Sequence, residues 1–349
     1  MQNTKRRSRS VSNNLRLFIL VLLSLSLAGA QWNPAATDST ASLRGIHNAG
    51  GGVIWASGSN GTVLRSEDDG YMWQKCKLPA GAAKLDFRAV FAWDANHAQA
   101  MSSGTGSASQ LYETTDGGAS WHLLFENPDH DGFWDALTFR GKSGFLLGDP
   151  VNGRFVFYQS ADLGQHWQRE DSPNLAAANG EGVFAASNSS LLVLPDSEVL
   201  FATGGVGGAR VFHRDKSGRW SATKVPIAAG TDGSGIFSIA FRDGAHGVAV
   251  GGDYKQPAQA ANTAAWTSDG GATWQPAANF PSGYRSSVAW SQESHAWIAV
   301  GTNGSDISRD DGRTWQRLGS GAWNGLSLPW VAGEKGRIAS LDTASPLLR

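Results

Sequence analysis

The chain has 349 residues, with 44 Gly, 15 Trp and a single Cys, and only 17% of its residues are charged. One cysteine excludes an intramolecular disulfide framework and a cysteine-rich zinc site, and the low charge excludes long solvated helices and charged disordered tails. Net charge is -1, but residues 1–30 hold five basic residues and no acids, which leaves 24 basic against 30 acidic in the remainder. An acidic body excludes a surface that tracks nucleic-acid phosphates, which needs clustered Lys and Arg.

Residues 1–30 are punctuated as an export signal. Lys5, Arg6, Arg7, Arg9 and Arg16 precede the apolar run Leu17–Leu27, and Ala28-Gly29-Ala30 supplies small residues for cleavage. The run is too short to span a bilayer, which takes about 20 residues. The expectation is a mature protein in the periplasm or outside the cell.

From residue 31 onward a motif recurs. Ser/Thr-x-Asp-x-Gly-x-x-Trp reads Ser66–Trp73, Thr114–Trp121, Ser160–Trp167, Thr267–Trp274 and Ser308–Trp315, with a worn copy at Asp215–Trp220. The carboxylates of Asp68, Asp116, Asp162, Asp215, Asp269 and Asp310 are suited to accept local backbone N–H groups. The Gly supplies positive φ, the hydroxyl adds a second local bond, and the Trp opens the next strand. The motif is therefore a device for turning corners, and its Asp residues are structural.

Before each corner lie two short apolar strands, as in Val53–Gly58 with Gly61–Arg65, and before those another strand begins near Arg44, Arg88, Asp135, Phe184, Phe237, Ser286 and Gly325. Seven units of four short strands predict an all-β, seven-bladed β-propeller over residues 31–349. The seventh unit ends at Arg349 without a fourth strand, while Gln31-Trp32-Asn33-Pro34 resembles the fourth-strand start Trp274-Gln275-Pro276. The N-terminal segment is thus expected to complete the last blade and close the ring. Pro257–Ala265 and Asn127–Gly132 read as loops, and Leu175–Ser190 as a loop or part of a divergent blade.

The entries of the innermost strands open on one face of such a ring. They carry the candidate binding residues Arg44, Arg88, Asp135 and Arg285, joined by Asp149, Asp253 and Tyr254. Trp134, Glu181, Tyr284 and Asn324 sit at the same level. Arginines converging from separate blades suit a carboxylate or phosphate. The alternative is that these charges pair with each other and hold the blades in register. No metal and no cofactor is expected, since the eight His are scattered and His130 sits between two exposed-loop acids. The Gly204–Gly208 run precedes a strand and not a helix, which argues against a phosphate loop.

The repeated corner resembles the Asp-box, or BNR repeat, of β-propellers, which occurs in sialidases, other glycosidases, sorting receptors and assembly factors. The export signal, the seven short units and the N-terminal closure together resemble the photosystem II stability/assembly factor family and its bacterial relatives. That resemblance implies a non-enzymatic binding module whose partner is an envelope protein or membrane-protein subunit. Photosynthetic members display an arginine patch on one blade, whereas the arginines here are spread and the body is acidic. A second reading is a glycoside hydrolase bound to a glycan. A sialidase-like site would use Tyr254 or Tyr284 as nucleophile, although Leu43-Arg44-Gly45-Ile46 lacks the Arg-Ile-Pro signature. A paired-carboxylate site would draw on Asp135, Asp149 or Asp253.

Overall fold

The computed structural model describes residues 32–345 and 348. The expected export signal lies outside the described residues. Among the described residues, thirty strands and three short 3-10 helices make up the regular structure, and none of these helices is long and apolar enough to cross a membrane.

The described strands form seven antiparallel sheets; six hold one blade each, and the sheet of blade five also takes in Glu181–Gly182 and Gly204–Gly205 beside its inner strand. In the first blade Leu43–Gly50, Val53–Gly58, Thr62–Ser66 and Gln74–Lys75 run from the hub outward. The last blade contains Gly325–Ser327, Trp330–Ala332 and Ile338–Leu341 from the C-terminal end of the chain. Its outermost strand is Trp32–Ala35, paired antiparallel with Ile338–Leu341. The ring therefore closes through the N-terminal segment, as its likeness to a fourth strand implied. The strands of the Pro257–Ala265 region resume slightly earlier than expected, at Ala264.

Strand alternation puts one apolar face of each blade against the next, so the core is a set of inter-blade layers. Trp55 of blade one meets Trp121 of blade two edge-on at 6.1 Å, and Trp73 meets Trp330 of blade seven at 6.2 Å.

The Asp corners join third to fourth strands, at the ends away from the inner-strand entries. In blade two, Thr114 Oγ1 donates to Asp116 Oδ1 (2.8 Å) and accepts from Gly118 N (2.9 Å), while Asp116 Oδ1 accepts from Ser120 N (2.9 Å). The same bonds recur at Ser66/Asp68, Ser160/Asp162, Thr267/Asp269 and Ser308/Asp310. Asp215, without the upstream hydroxyl, still accepts from Ser217 N and Arg219 N. These local donors hold the Asp116, Asp162 and Asp215 carboxyls down to about 2. Groups depressed in the folded state contribute stability above their ordinary pKa and lose it as pH falls through the folded value. The corners are thus expected to fail together between about pH 4 and 2. Thr114→Val keeps the shape but leaves the buried Gly118 N–H without an acceptor. It is expected to cost about 1–3 kcal/mol, read as a lower urea midpoint at unchanged slope.

Blade four departs from the expected pattern. Its inner strand does not start at Phe184 but at Leu191, as Leu191–Val193, with a separate two-residue piece at Glu181–Gly182. Ser190 O accepts from Ala202 N, and Gly182 pairs with Gly204. Residues 183–189 therefore stand opposite Thr203 alone and loop out into the hub. Asn188 bonds both backbone groups of Leu137 in blade three, Oδ1 accepting at 2.8 Å and Nδ2 donating at 2.9 Å. Ser187 Oγ donates to Ser286 O of blade six (2.7 Å), and Ser189 Oγ to Ser238 Oγ of blade five (2.8 Å). Arg88 of blade two reaches Ala185 O at 3.4 Å.

Blades four and five also touch backbone to backbone, where Gly204 pairs with Gly235. A Cβ on Gly204 would stand 2.7 Å from Gly235 Cα, so the glycine-rich run around Gly204 serves close approach of two blades.

Candidate functional site

The inner-strand entries surround a mouth above the hub loop. A cavity of about 680 Å³ is lined by Arg44, Arg88, Asp135, Tyr254, Tyr284 and Asn324, among others, with Phe184–Ala186 of the hub loop beneath. Phe184 stacks on Phe237 at 3.9 Å and 6°; Tyr284 meets Phe237 edge-on at 4.7 Å, and Tyr254 at 6.3 Å. Tyr254 is 48% exposed, with the Lys255 ammonium 5.8 Å from its ring. An aromatic floor of this kind offers large contact area with a polar rim.

Two arginines face this floor. Arg88 Nε donates to Asp86 Oδ2 at 2.8 Å, and its guanidinium lies 6.0 Å from the Phe133 ring. Arg44 has no hydrogen bond or ion pair among the described residues. Burial, and then the neighbouring charge of Arg88, hold its pKa below the usual arginine value. An unpaired, half-buried guanidinium is an anion site waiting for two parallel acceptors.

The carboxylates are placed lower. Asp135 is 1% exposed, and its Oδ2 has no hydrogen-bond partner. Burial, and then the nearby Asp149 charge, raise its pKa well above the carboxylate range. Asp149 Oδ1 accepts from Val183 N at the root of the hub loop (2.8 Å), and burial lifts its pKa to about 6. A carboxyl raised by folding favours the folded state at low pH and loses that contribution as pH climbs through the folded value. Asp149→Asn keeps the acceptor for Val183 N. It is expected to stabilise the chain above pH 6 by on the order of 2–3 kcal/mol and to leave it unchanged near pH 4. Melting temperatures at the two pH values check this; an equal shift at both would discard it.

Beside the first cavity lies a second depression of about 810 Å³, between blades three, four and five. It shares Phe133, Asp149, Val183, Phe184 and Asp232 with the first and adds Asp131 and Glu181. Glu181 is spoken for: Arg210 Nε donates to its Oε1 at 2.9 Å and Thr203 Oγ1 at 2.6 Å. Asp232 pairs with Lys255 Nζ at 2.7 Å. Among the described residues Asp131 is bonded only to the exposed His130 ring, at 2.7 Å.

Two sequence-derived candidates do not join the mouth. Arg285 is fully buried inside blade six, where Nε donates to Asp306 Oδ2 (2.6 Å), Nη1 to Asn303 Oδ1 (2.6 Å) and Nη2 to Ser282 Oγ (2.8 Å). Asp253 turns away to order a loop, accepting from Lys255 N (2.9 Å) and Thr231 Oγ1 (3.1 Å). Both line neither cavity. The structure instead adds Phe133 and Asp232, which no motif marked, and Phe184 and Phe237, which the sequence marked only as inner-strand starts. Among the described residues no group of three or more His, Cys, Asp or Glu is placed to hold a metal ion.

No family model and no curated protein matches the chain. Among solved structures, YCF48 bound to a D1 peptide superposes with a TM-score of 0.64 at 16% identity, covering 90% of this chain and 98% of that one. A GH74 xyloglucanase from Xanthomonas campestris gives 0.63 at 15% identity, covering 91% and 54%, and a streptogramin B lyase gives 0.61 at 13%, covering 88% and 95%. These neighbours have unrelated activities on one architecture, so the likeness establishes a β-propeller fold and brings no activity with it.

Proposed function

We propose that this chain is an exported, non-enzymatic binding module that takes a segment of an envelope protein or membrane-protein subunit at its mouth, in the manner of an assembly factor. The observation that carries the reading is the hub loop: Phe184–Ala186 turns the mouth into a floored, aromatic surface with an unpaired Arg44 beside it. A floor of stacked rings with charges at its edge has the anatomy of a protein-binding patch. A structural neighbour binds a D1 peptide, which supports a polypeptide ligand. The test is crosslinking of the mature protein in its own envelope fraction. Adducts are expected to form at Tyr254 and to be lost in Arg44→Ala. Adducts confined to the opposite face would overturn the reading.

One observation favours a glycoside hydrolase. Asp135 and Asp149 interact, and their pKa values are pushed up by burial to different extents, as in an acid–base pair. Against it, Asp135 is almost fully buried and Asp149 is engaged by Val183 N. Tyr284, buried with its pKa raised by desolvation, is no ready nucleophile. Hydrolysis of any glycoside that disappears in Asp149→Asn would establish that alternative.

A further inference from the structure

We propose that the face opposite the mouth carries a second docking site, between blades six, seven and one, for a polypeptide segment in which a basic side chain stands near an apolar one. This site lies beyond the mouth and stands or falls separately from it.

The corner of blade one breaks a rule that the four other full copies keep. Between the Gly and the Trp of the repeat those copies carry Ala119-Ser120, Gln165-His166, Ala272-Thr273 and Arg313-Thr314. The second residue of each pair bonds Oδ2 of the corner aspartate through its side chain, at 2.6 Å in all four. Blade one has Tyr71-Met72 in that place. Met72 has no donor to offer its aspartate, so Asp68 keeps only the Oδ1 bonds from Ser66 Oγ and Met72 N among the described residues. Nothing inside the fold is gained in exchange. Tyr71 is 86% and Met72 65% exposed, the two most exposed large apolar side chains among the described residues. A local rule broken without compensation inside the molecule points to a contact outside it.

The same corner borders a cavity. A Cβ on Gly70 would run into the Trp330 ring, and Trp73 meets that ring edge-on. Beside it a depression of about 570 Å³ opens between the inner hairpin turns of blades six, seven and one. Trp290, Leu328, Pro329, Trp330 and Leu341 give it apolar walls, and Asp69 and Glu293 are the only charged residues among those that line it. Both acids are exposed, and neither makes an ion pair or a side-chain hydrogen bond among the described residues. Arg309 donates to Ser294 O at 3.1 Å, one residue from Glu293, but does not line the cavity.

An apolar cavity with two unneutralised carboxylates at its edge takes an apolar side chain with a cation beside it. The acids repel an anionic lipid surface, so Tyr71 and Met72 do not read as a membrane foothold. They follow Asp69 along the corner and extend the contact past the cavity, which a polypeptide can use and a small amine cannot. Met adapts its shape to a partner, which suits such a rim.

The probes are fluorescein-labelled decapeptides, acetylated and amidated, each with a Phe or Leu and an Arg in an Ala/Ser background. Spacings from adjacent to one helical turn apart are sampled in both orders. Binding to the purified protein is read by anisotropy. At least one arrangement is expected to bind with a Kd below about 100 μM, and its Arg→Gln analogue about fivefold more weakly. Glu293→Gln and Asp69→Asn should each weaken the Arg peptide about threefold and leave the Gln peptide unchanged. Asp69 sits at φ 53°, a conformation that Asn tolerates, so that change does not threaten folding. Tyr71→Ala with Met72→Thr rebuilds the blade-five corner. It should weaken both peptides about fivefold while the melting temperature holds or rises, because the new hydroxyl restores the missing bond. Arg44→Ala at the mouth should change nothing.

No binding by any member at about 1 mM, equal effects of the acid substitutions on Arg and Gln peptides, or loss of binding in Arg44→Ala would each overturn the proposal. So would sedimentation of the protein with phosphatidylglycerol vesicles that Tyr71→Ala with Met72→Thr abolishes. Failure here leaves the mouth reading in place, since crosslinking at Tyr254 decides that one; failure there leaves this site in place.

Discussion

Arg285→Ala is expected to lower the stability of the chain by roughly 3–5 kcal/mol. The Arg285 and Asp306 side chains are 0% and 1% exposed. Removing the guanidinium leaves Asp306 buried, with only the N–H and hydroxyl of Ser282 to hold its charge, at 3.1 and 3.3 Å. It also strips Asn303 Oδ1 and Tyr284 O of their donor. Uncompensated buried charge is among the most costly defects a single substitution makes. Replacing both partners at once, Arg285→Met with Asp306→Leu, is expected to recover the part of the loss that comes from uncompensated charge, while Asn303 Oδ1, Tyr284 O and Ser282 N remain without their partners. Urea unfolding of the two variants reads both effects. A single-variant loss below about 1 kcal/mol would show that solvent reaches the pair. Peptide affinity at the mouth should be unaffected while the chain is folded, since Arg285 does not line it.

Trp32→Ala should be nearly as damaging, by about 3–5 kcal/mol. Trp32 is 6% exposed, its ring centroid is 5.9 Å from that of Trp323, and its Nε1 donates to Ser305 Oγ of blade six at 3.1 Å. It therefore ties the closing strand both to its own blade and to the one before. Trp32↔Leu341 through Ala35↔Ile338 are the ladder rungs that join the N-terminal strand to the last blade, and Thr37 Oγ1 and Ala41 O bond Gly336 beyond them. Hydrogen exchange is the sharper readout. Protection should fall first in Ile338–Leu341 and Trp330–Ala332, with the blades opposite affected least. Uniform loss around the ring would mean that closure acts through global stability alone.

The repeat made the blades legible, because the bonds that define each corner join residues two to four apart, as Thr114 joins Asp116 and Gly118. Such signals survive in one sequence. The closing strand was legible for a similar reason, since Trp32-Asn33-Pro34 copies the start of an outer strand. The hub loop was not. Its anchors reach Leu137, Ser238 and Ser286, which lie 49 to 99 residues away, and Phe184–Ser190 has no periodicity to betray it. The entry arginines show the same limit. Arg44 and Arg88 occupy matching places in their blades, each one residue after a buried apolar residue (Leu43, Phe87), whereas Arg285 stands at that apolar place itself and is turned inward to Asp306, 21 residues downstream. Asp253 was likewise claimed by the Thr231 turn. One residue of register decides which face a side chain takes, and the nearest counter-charge then decides what a long one pairs with.

The loop across the hub has a mechanical corollary. A ring of blades hinged only to their neighbours could yield locally when something presses on one of them. Here one segment is pinned to blades two, three, five and six at once. Weight placed on Phe184 is therefore shared across the rim, and the molecule should answer as a taut drumhead, with small displacements spread widely in place of one blade swinging free.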